Sequence, residues 1–207
     1  MPAARFAASA VTQGEGEKVM RSIVSIVAFA MATSAAAVDV EGVKLDDKAS
    51  VGGQELVMNG AGVRKRAIFK VYVGSLYVPA KAQTTQTTQE VLAKGPRRIQ
   101  LNLLRNLSSD QLIEALMDGL KQNLSPAEMQ AIAIQSGEMA AIMKSFGQAK
   151  EGGVVTIDFV GTSTKIGLDG AARGTIEGAA FNDALTRIWI GENPVQADLK
   201  KAMLGGA

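Results

Sequence analysis

The chain has 207 residues, a formal net charge of +2, and neither histidine nor cysteine. The missing residue types exclude the usual general base, the Ser-His and Cys-His nucleophile pairs, and the commonest zinc ligands. The near-neutral charge and the absence of a long basic run argue against nucleic acid as a partner.

The first 37 residues have the pattern of an export signal behind an upstream extension. A second plausible start, Met20-Arg21, precedes an apolar run at 22–31, and Ala35 and Ala37 then form an Ala-x-Ala cleavage site. The run is shorter than the roughly 20 apolar residues of a membrane-spanning helix; a short buried helix is the alternative interpretation. We therefore expect residues 1–37 to be an extension and signal peptide. Residues 38–207 would then be one exported, periplasmic domain without a transmembrane segment.

The start of that domain is predicted to be an antiparallel meander. Short alternating segments at 38–40 and 43–45 precede a turn at Gly52-Gly53. The clearest strand spans 68–78, because it is rich in Ile, Val, Tyr and Phe, and Pro79 ends it. The stretch before it, NGAGVRKR at 59–66, is interpreted as a glycine turn that leads into three basic residues.

The middle of the chain predicts one strand among helices. A polar loop from 82 leads to a short helix at 89–94 with Thr88 as its cap, and a strand follows at 99–103. A helix then begins after Ser108 or Ser109, with apolar residues at the helical period. A second helix opens at Ser125-Pro126-Ala127-Glu128, which combines a capping box with an early proline. Its apolar face is expected to run from Met129 to Phe146 and to include Ile134.

The last part of the chain returns to strands and then to helices. A strand is predicted at 154–160, and turn signals at 169–170 and 173–174 separate shorter strand pieces. Helices are predicted at 181–190, ended by Gly191, and from Pro194 to Leu204. Strands, helices, strands and helices in this order indicate an α+β domain, with an antiparallel sheet and helices mainly on one face.

The basic cluster at 64–66 has two interpretations. The guanidinium of Arg64 is suited to hold a carboxylate, but a solvated turn before a strand has the same composition. Alternation places Arg64 and Tyr72 on one strand face and Tyr77 on the other. A straight strand would separate Arg64 from Tyr72 by about 26 Å at roughly 3.3 Å per residue. The binding interpretation therefore requires a turn or bulge near 65–67.

The remaining candidates point to packing rather than to a cofactor. Tyr72 and Tyr77, the two tyrosines, fit either simple sheet packing or hydroxyls that meet a polar partner. Trp189 is expected to be a core or edge anchor, and the methionines suit a core or an adaptable ligand lining. No metal cluster stands out, and the glycine patterns lack the setting of a nucleotide site. We predict no cofactor and no metal.

Three blocks in order resemble the chalcone isomerase family, and most closely its bacterial exported chalcone isomerase-like branch. They are NGAGVRKRAIFKVYVGSLYV at 59–78, LNLLRNLSSDQLIEAL at 101–116 and FNDALTRIWIGENPVQADLKKAMLG at 181–205. The resemblance implies an open-faced sandwich, in which a large antiparallel sheet has a helical layer on one face. It also implies that a ligand lies between sheet and helices.

Matching the site of the plant isomerases to this chain shows two departures. Their arginine after the glycine turn matches Arg64, and their strand threonine falls near Tyr72. Their mid-chain tyrosine falls at Leu104, before Arg105, and their late-helix polar residue falls at Ile188. Since Leu104 and Ile188 have no hydroxyl to order water or substrate, we expect no chalcone cyclisation and assign no catalytic residue.

Another branch of the family binds fatty acids, with an arginine and a tyrosine on the carboxylate. The resemblance therefore implies an exported protein that binds a small amphipathic carboxylate such as a fatty acid. The candidate ligand-binding residues are Arg64, Tyr72, Tyr77, Leu104, Arg105 and Ile188. Two alternatives stay open: an isomerase or lyase with an unidentified substrate, and an envelope interaction protein with a filled core and no ligand.

Overall fold

A computed structural model describes residues 38–81, 88–92 and 95–206. The predicted signal peptide, the polar loop at 82–87 and the end of the predicted helix at 89–94 lie outside the described residues. The strands are β1 (Val38–Val40), β2 (Val43–Leu45), β3 (Lys48–Val51), β4 (Gln54–Arg66), β5 (Phe69–Val78), β6 (Arg97–Leu103), β7 (Leu107–Ser108), β8 (Gln148–Ala149), β9 (Val154–Val160), β10 (Ser163–Leu168) and β11 (Ala171–Glu177). The helices are α1 (Thr88–Leu92), α2 (Ser109–Asn123), α3 (Pro126–Ala131), α4 (Ala133–Lys144), α5 (Ala179–Ile190) and α6 (Ala197–Met203).

Seven strands form one sheet in the order β11-β10-β9-β6-β5-β4-β3, and every neighbouring pair is antiparallel. One face packs against α2, α4, α5 and α6 in the main apolar core. On the opposite face, a smaller core lies beneath the β1–β2 hairpin. The predicted α+β architecture, with a helical layer on one face of a large antiparallel sheet, is confirmed. Within the described part of the chain, no helix is long and apolar enough to cross a membrane.

Local sequence explains several of these elements. Burial alternates along β6: Ile99, Leu101 and Leu103 are buried in the main core, and the residues between them are half-buried. This pattern arises because successive side chains of a strand point to opposite faces of the sheet. α2 begins with a reciprocal capping box in which the Ser108 hydroxyl accepts from the Gln111 backbone and the Gln111 side chain accepts from the Ser108 backbone. These features confirm the strand predicted at 99–103 and the helix predicted after Ser108.

The long helix predicted from 126 to 146 is wrong, because the chain breaks at Ile132 into α3 and α4. Ile132 has non-helical dihedral angles and is buried, whereas the Ile134 side chain is 76% exposed. Residues two apart do not share a helix face, so these two isoleucines cannot both enter the core from one regular helix. The prediction that Ile134 belongs to the apolar face is also wrong.

Two predicted boundaries near the C-terminus are wrong as well. The turn at Asp169-Gly170 is present, but Arg173-Gly174 lies inside β11, opposite an irregularity in the β10 register. Gly174 leaves space there for the Ile142 side chain on α4, which would lie 2.4 Å from a Cβ at this position. The last helix begins at Ala197 rather than Pro194, because the Val195 N–H bonds to the Ile188 carbonyl and holds this segment against the end of α5.

The glycine turn predicted at 60–62 is also wrong, because both glycines lie inside β4. They leave space for α6, which packs directly on the strand. A Cβ at Gly60 would lie 2.0 Å from the Ala202 carbonyl oxygen, and a Cβ at Gly62 would lie 2.7 Å from the Ala202 side chain. The Asn59 amide donates to the Met203 carbonyl at 2.8 Å, which ties the end of α6 to the same strand.

Candidate functional site

The β4–β5 hairpin brings Arg64 and Tyr72 together. The chain turns at 67–68, where Ala67 has a φ of 54°, and the register shifts between Arg64 and Lys65. Arg64 therefore lies directly opposite Tyr72 on the neighbouring strand. Cross-strand neighbours are about 5 Å apart, so the turn required by the sequence argument is present and the two side chains meet on one face.

Tyr72 is held in a defined orientation by α5. The indole Nε1–H of Trp189 donates to the Tyr72 hydroxyl at 3.0 Å. Desolvation raises the pKa of the Tyr72 hydroxyl, while the Trp189 N–H and the positive charge of Arg64 act in the opposite direction. The phenol therefore stays protonated at neutral pH. Because its oxygen accepts from Trp189, its own O–H remains a donor for another group.

Arg64 is positioned by Gln196, the residue that precedes α6. The Gln196 side-chain oxygen accepts from the Lys65 backbone N–H at 2.8 Å and from Nη1 of Arg64 at 3.3 Å. Its amide nitrogen donates to the Val63 carbonyl at 3.1 Å, and Arg64 also donates to the Lys65 carbonyl. Both contacts of Arg64 use its Nη1, and the hydrogen bonds of Gln196 join the start of α6 to the end of β4.

Arg64 and Tyr72 border a cavity of about 360 Å³ between the sheet and the helices. This volume is within the usual range for small-molecule sites. Its interior is mostly apolar, with walls from the sheet and from α2, α4 and α5: Val71, Leu101, Val155, Ile157, Leu112, Leu116, Met139, Met143, Phe146, Leu185 and Ile188. Six charged or amide residues in its lining are half-buried or exposed, which places them at its entrance: Arg64, Arg66, Arg105, Asp118, Gln111 and Gln122.

Four of the six predicted site residues line this cavity, namely Arg64, Tyr72, Arg105 and Ile188. Tyr77 and Leu104 do not, and their predicted place in the same cleft is wrong. Tyr77 is buried on the opposite face of the sheet, where its hydroxyl donates to the Asp46 carbonyl at 3.0 Å. Leu104 packs against that same smaller core. Strand alternation is the physical reason, because Tyr77 differs in parity from Tyr72.

Sequence reasoning missed Gln196, Phe69 and the hydrogen bond between Trp189 and Tyr72. Trp189 is buried, as expected of an anchor, but its N–H also orients the tyrosine at the entrance. Gln196 is a polar residue before a short helix, and nothing in its local pattern indicates a contact across 131 positions to Lys65. Such contacts depend on how α6 packs on β4, which local periodicity does not encode.

Arg97 forms a separate buried polar group that joins β6 to α5. Its guanidinium donates to the Thr186 hydroxyl and to the Asn182 side-chain oxygen, at 2.7 and 2.8 Å, and lies 4.3 Å from the centre of the Phe159 ring. Burial lowers the pKa of Arg97 to about 10, partly offset by the charge of Asp183. Arg97 does not line the cavity, so we assign it to the attachment of α5 to the sheet.

A large antiparallel sheet, a helical layer on one face and an apolar cavity between them define an open-faced sandwich with an internal site. A family model described as chalcone isomerase-like matches residues 37–205, so the chain belongs to the chalcone isomerase-like family. The fold is similar to that in the crystal structure of an Arabidopsis thaliana fatty-acid binding protein, AtFAP1. The TM-score is 0.62 at 13% identity, over 82% of this chain and 96% of that chain. No curated protein matches.

Proposed function

We propose that this protein binds a small amphipathic carboxylate, such as a fatty acid, in the cavity between sheet and helices. The observation that carries the proposal is the pairing of Arg64 and Tyr72 at the entrance of a mostly apolar cavity. The fold likeness to a fatty-acid binding protein supports the proposal by analogy.

The chemistry of the entrance suits a carboxylate. A guanidinium and a phenol donate to the two oxygens of one carboxylate, and charge-assisted hydrogen bonds of this kind are the stronger ones. Arg66 and Arg105 add positive charge at the same opening, against one lining carboxylate, Asp118. The hydrocarbon chain then lies against the apolar walls, where two methionines, Met139 and Met143, adapt to its shape.

Calorimetric titration of palmitate into the purified chain tests the proposal. The chain is used from residue 38, because residues 38–206 contain the seven-stranded sheet and both apolar cores. Losing a charge-assisted hydrogen bond costs roughly 1.5–3 kcal/mol, so Arg64→Ala should weaken binding by at least about tenfold. Arg173→Ala, an exposed arginine on β11, is the matched control.

Hexadecanol separates the head group from the chain in the same assay. It should bind wild type more weakly than palmitate, and Arg64→Ala should affect it little. Palmitate binding to Arg64→Ala that is as tight as to wild type would contradict the assigned role of Arg64.

Chalcone cyclisation is not part of the proposed function. Ile188 places an alkyl side chain on the cavity wall, at the position where the resemblance implied a polar group. Leu104 faces away from the cavity altogether. A chalcone mixed with the protein should therefore lose its long-wavelength absorbance no faster than in buffer. A faster loss would restore the isomerase alternative.

Export to the periplasm is also proposed, on the signal pattern at 20–37. Native mass spectrometry of protein isolated from the envelope of its own cells should give a mass that begins at Val38. The same spectrum would show a retained ligand. A mass that includes residues 20–37 would contradict cleavage at the Ala-x-Ala site.

A further inference from the structure

The tip of the β4–β5 hairpin exposes two adjacent large apolar side chains. Ile68 is 89% exposed and Phe69 is 54% exposed. Among the described residues, the other exposed large apolar residues, Val38 at 43% and Ile134 at 76%, are separate from one another in sequence. Phe69 also lines the cavity, and the Arg105 guanidinium lies 4.8 Å from the centre of its ring. The exposed apolar tip is thus continuous with the cavity entrance.

Positive charge is concentrated around this tip. Five cationic side chains belong to it or border it: Arg64, Lys65, Arg66, Lys70 and Arg105. Two carboxylates are recorded beside these groups: Glu41 in an ion pair with Lys70, and Asp118 in the lining of the same cavity. These five cations and two carboxylates sum to +3, whereas the whole chain has a formal net charge of only +2.

The same tip departs from the residue choices that stabilise a hairpin. Lys65 lies directly opposite Lys70, and like charges in that arrangement are unfavourable. Ala67 has a φ of 54°, where glycine or asparagine is favoured, and an exposed isoleucine follows it. Departures of this kind from locally favoured residues are expected at functional sites.

We propose that this hairpin tip docks on an anionic lipid bilayer. Ile68 and Phe69 would enter the boundary between head groups and acyl chains, and the surrounding lysines and arginines would contact the anionic head groups. Two exposed apolar residues are a small patch for a stable protein partner, which typically needs about 800 Å² on each side. A bilayer needs no such area, because short apolar segments assisted by basic residues bind it reversibly.

Docking in this orientation places the cavity entrance at the membrane surface, since Arg64, Arg66 and Phe69 belong to both tip and entrance. An amphipathic carboxylate could then pass between bilayer and cavity without crossing water. This last step rests on the proposed function, whereas docking itself does not. Vesicle binding by ligand-free protein and palmitate binding without vesicles therefore test the two ideas separately.

The experiment is flotation of the ligand-free chain from residue 38 with phosphatidylcholine vesicles, with or without phosphatidylglycerol. Binding is expected on the anionic vesicles and should fall with added salt, because exposed charges are screened. Ile68→Ser should weaken binding about tenfold, from the lost burial of one aliphatic side chain. Lys65→Ala should weaken it about fivefold, the usual contribution of one basic residue near an anionic surface.

Two control variants match these changes elsewhere. Ile134→Ser removes another exposed isoleucine, at the start of α4, and Lys165→Ala removes an exposed lysine from a strand, β10. Both should bind vesicles like wild type. Because all four changed side chains are exposed, each variant should unfold at nearly the wild-type denaturant concentration.

Three results would overturn docking: no binding to anionic vesicles, equal binding to neutral and anionic vesicles, or wild-type binding by both Ile68→Ser and Lys65→Ala. If vesicle binding is absent while palmitate still binds, the docking surface is wrong and the proposed function stands. If vesicles bind while palmitate does not, docking stands and the ligand assignment is wrong.

Discussion

Replacing Gly60 with alanine tests whether the packing of α6 on β4 holds Arg64 in place. The new Cβ would lie 2.0 Å from the Ala202 carbonyl oxygen, 2.9 Å from the Gly205 nitrogen and 3.1 Å from the Met203 carbonyl oxygen. All three are backbone atoms, so no side-chain rotation relieves the contact. α6 would have to move away from β4 by roughly 1 Å to reach a normal separation.

The cost of this movement follows from two contributions. Overpacking typically costs about 1–3 kcal/mol, and a backbone contact belongs near the upper limit. The movement also strains the buried hydrogen bond from Asn59 to the Met203 carbonyl, and a bond of this kind contributes about 1 kcal/mol. We therefore expect Gly60→Ala to lower the free energy of unfolding by about 3–4 kcal/mol.

The same variant should weaken fatty-acid binding, because Gln196 at the start of α6 bonds both to Arg64 and to the Lys65 backbone. Urea denaturation followed by fluorescence of the single tryptophan, Trp189, measures stability, and palmitate titration measures binding. Gly137→Ala is the control, since Gly137 lies in α4 with nothing within 4 Å of the new Cβ. It should raise stability by up to about 1 kcal/mol through helix propensity.

If Gly60→Ala unfolded with the wild-type free energy and the wild-type dependence of that free energy on urea concentration, the close-packing argument would be refuted. Reduced stability with unchanged palmitate affinity, measured where the variant is folded, would instead refute the link from α6 through Gln196 to Arg64. The two readouts thus separate a structural role of Gly60 from its effect on the site.

Two further predictions concern hydrogen bonds in the site and in a helix cap. Tyr72→Phe removes a donor from the cavity entrance and the acceptor of the Trp189 N–H, so palmitate should bind about tenfold more weakly in titration; unchanged affinity would exclude Tyr72 from the site. Hydrogen bonds from the Ser125 backbone and hydroxyl, and then from Arg187, lower the pKa of Glu128 below its usual value of 4.5. That stabilisation is present above the unfolded-state pKa and is lost as the pH falls through the lower folded-state pKa. Urea titrations at a series of pH values should therefore show the stability difference between wild type and Glu128→Gln shrinking as the pH falls. A difference that stays constant across these pH values would show that Glu128 does not titrate in this cap.

Strand alternation predicted part of the site, because within β5 it places Tyr72 and Tyr77 on opposite faces. The meeting of Arg64 and Tyr72 was predicted only as a condition, that the chain turns near 65–67, and the hairpin meets it. Their shared face comes from the cross-strand register, because alternation along one straight strand does not extend through a turn. The resemblance pointed to Arg105 and Ile188, and both line the cavity. It also pointed to Leu104, which faces the smaller core on the other side of the sheet. Matching a residue to a family position does not specify which face of the sheet its side chain occupies, because a shift of one residue along a strand reverses the face.

The sequence by itself determined most of the strands, the capping of α2 and α3, and the α+β class, because these depend on residues near one another in the chain. Only the tertiary structure decided what the glycines at 60 and 62 do, since their small size matters only where α6 contacts β4. It also decided that Gln196 holds Arg64 and that Trp189 orients Tyr72. These contacts join distant segments, and their geometry exists only after the helices have packed on the sheet.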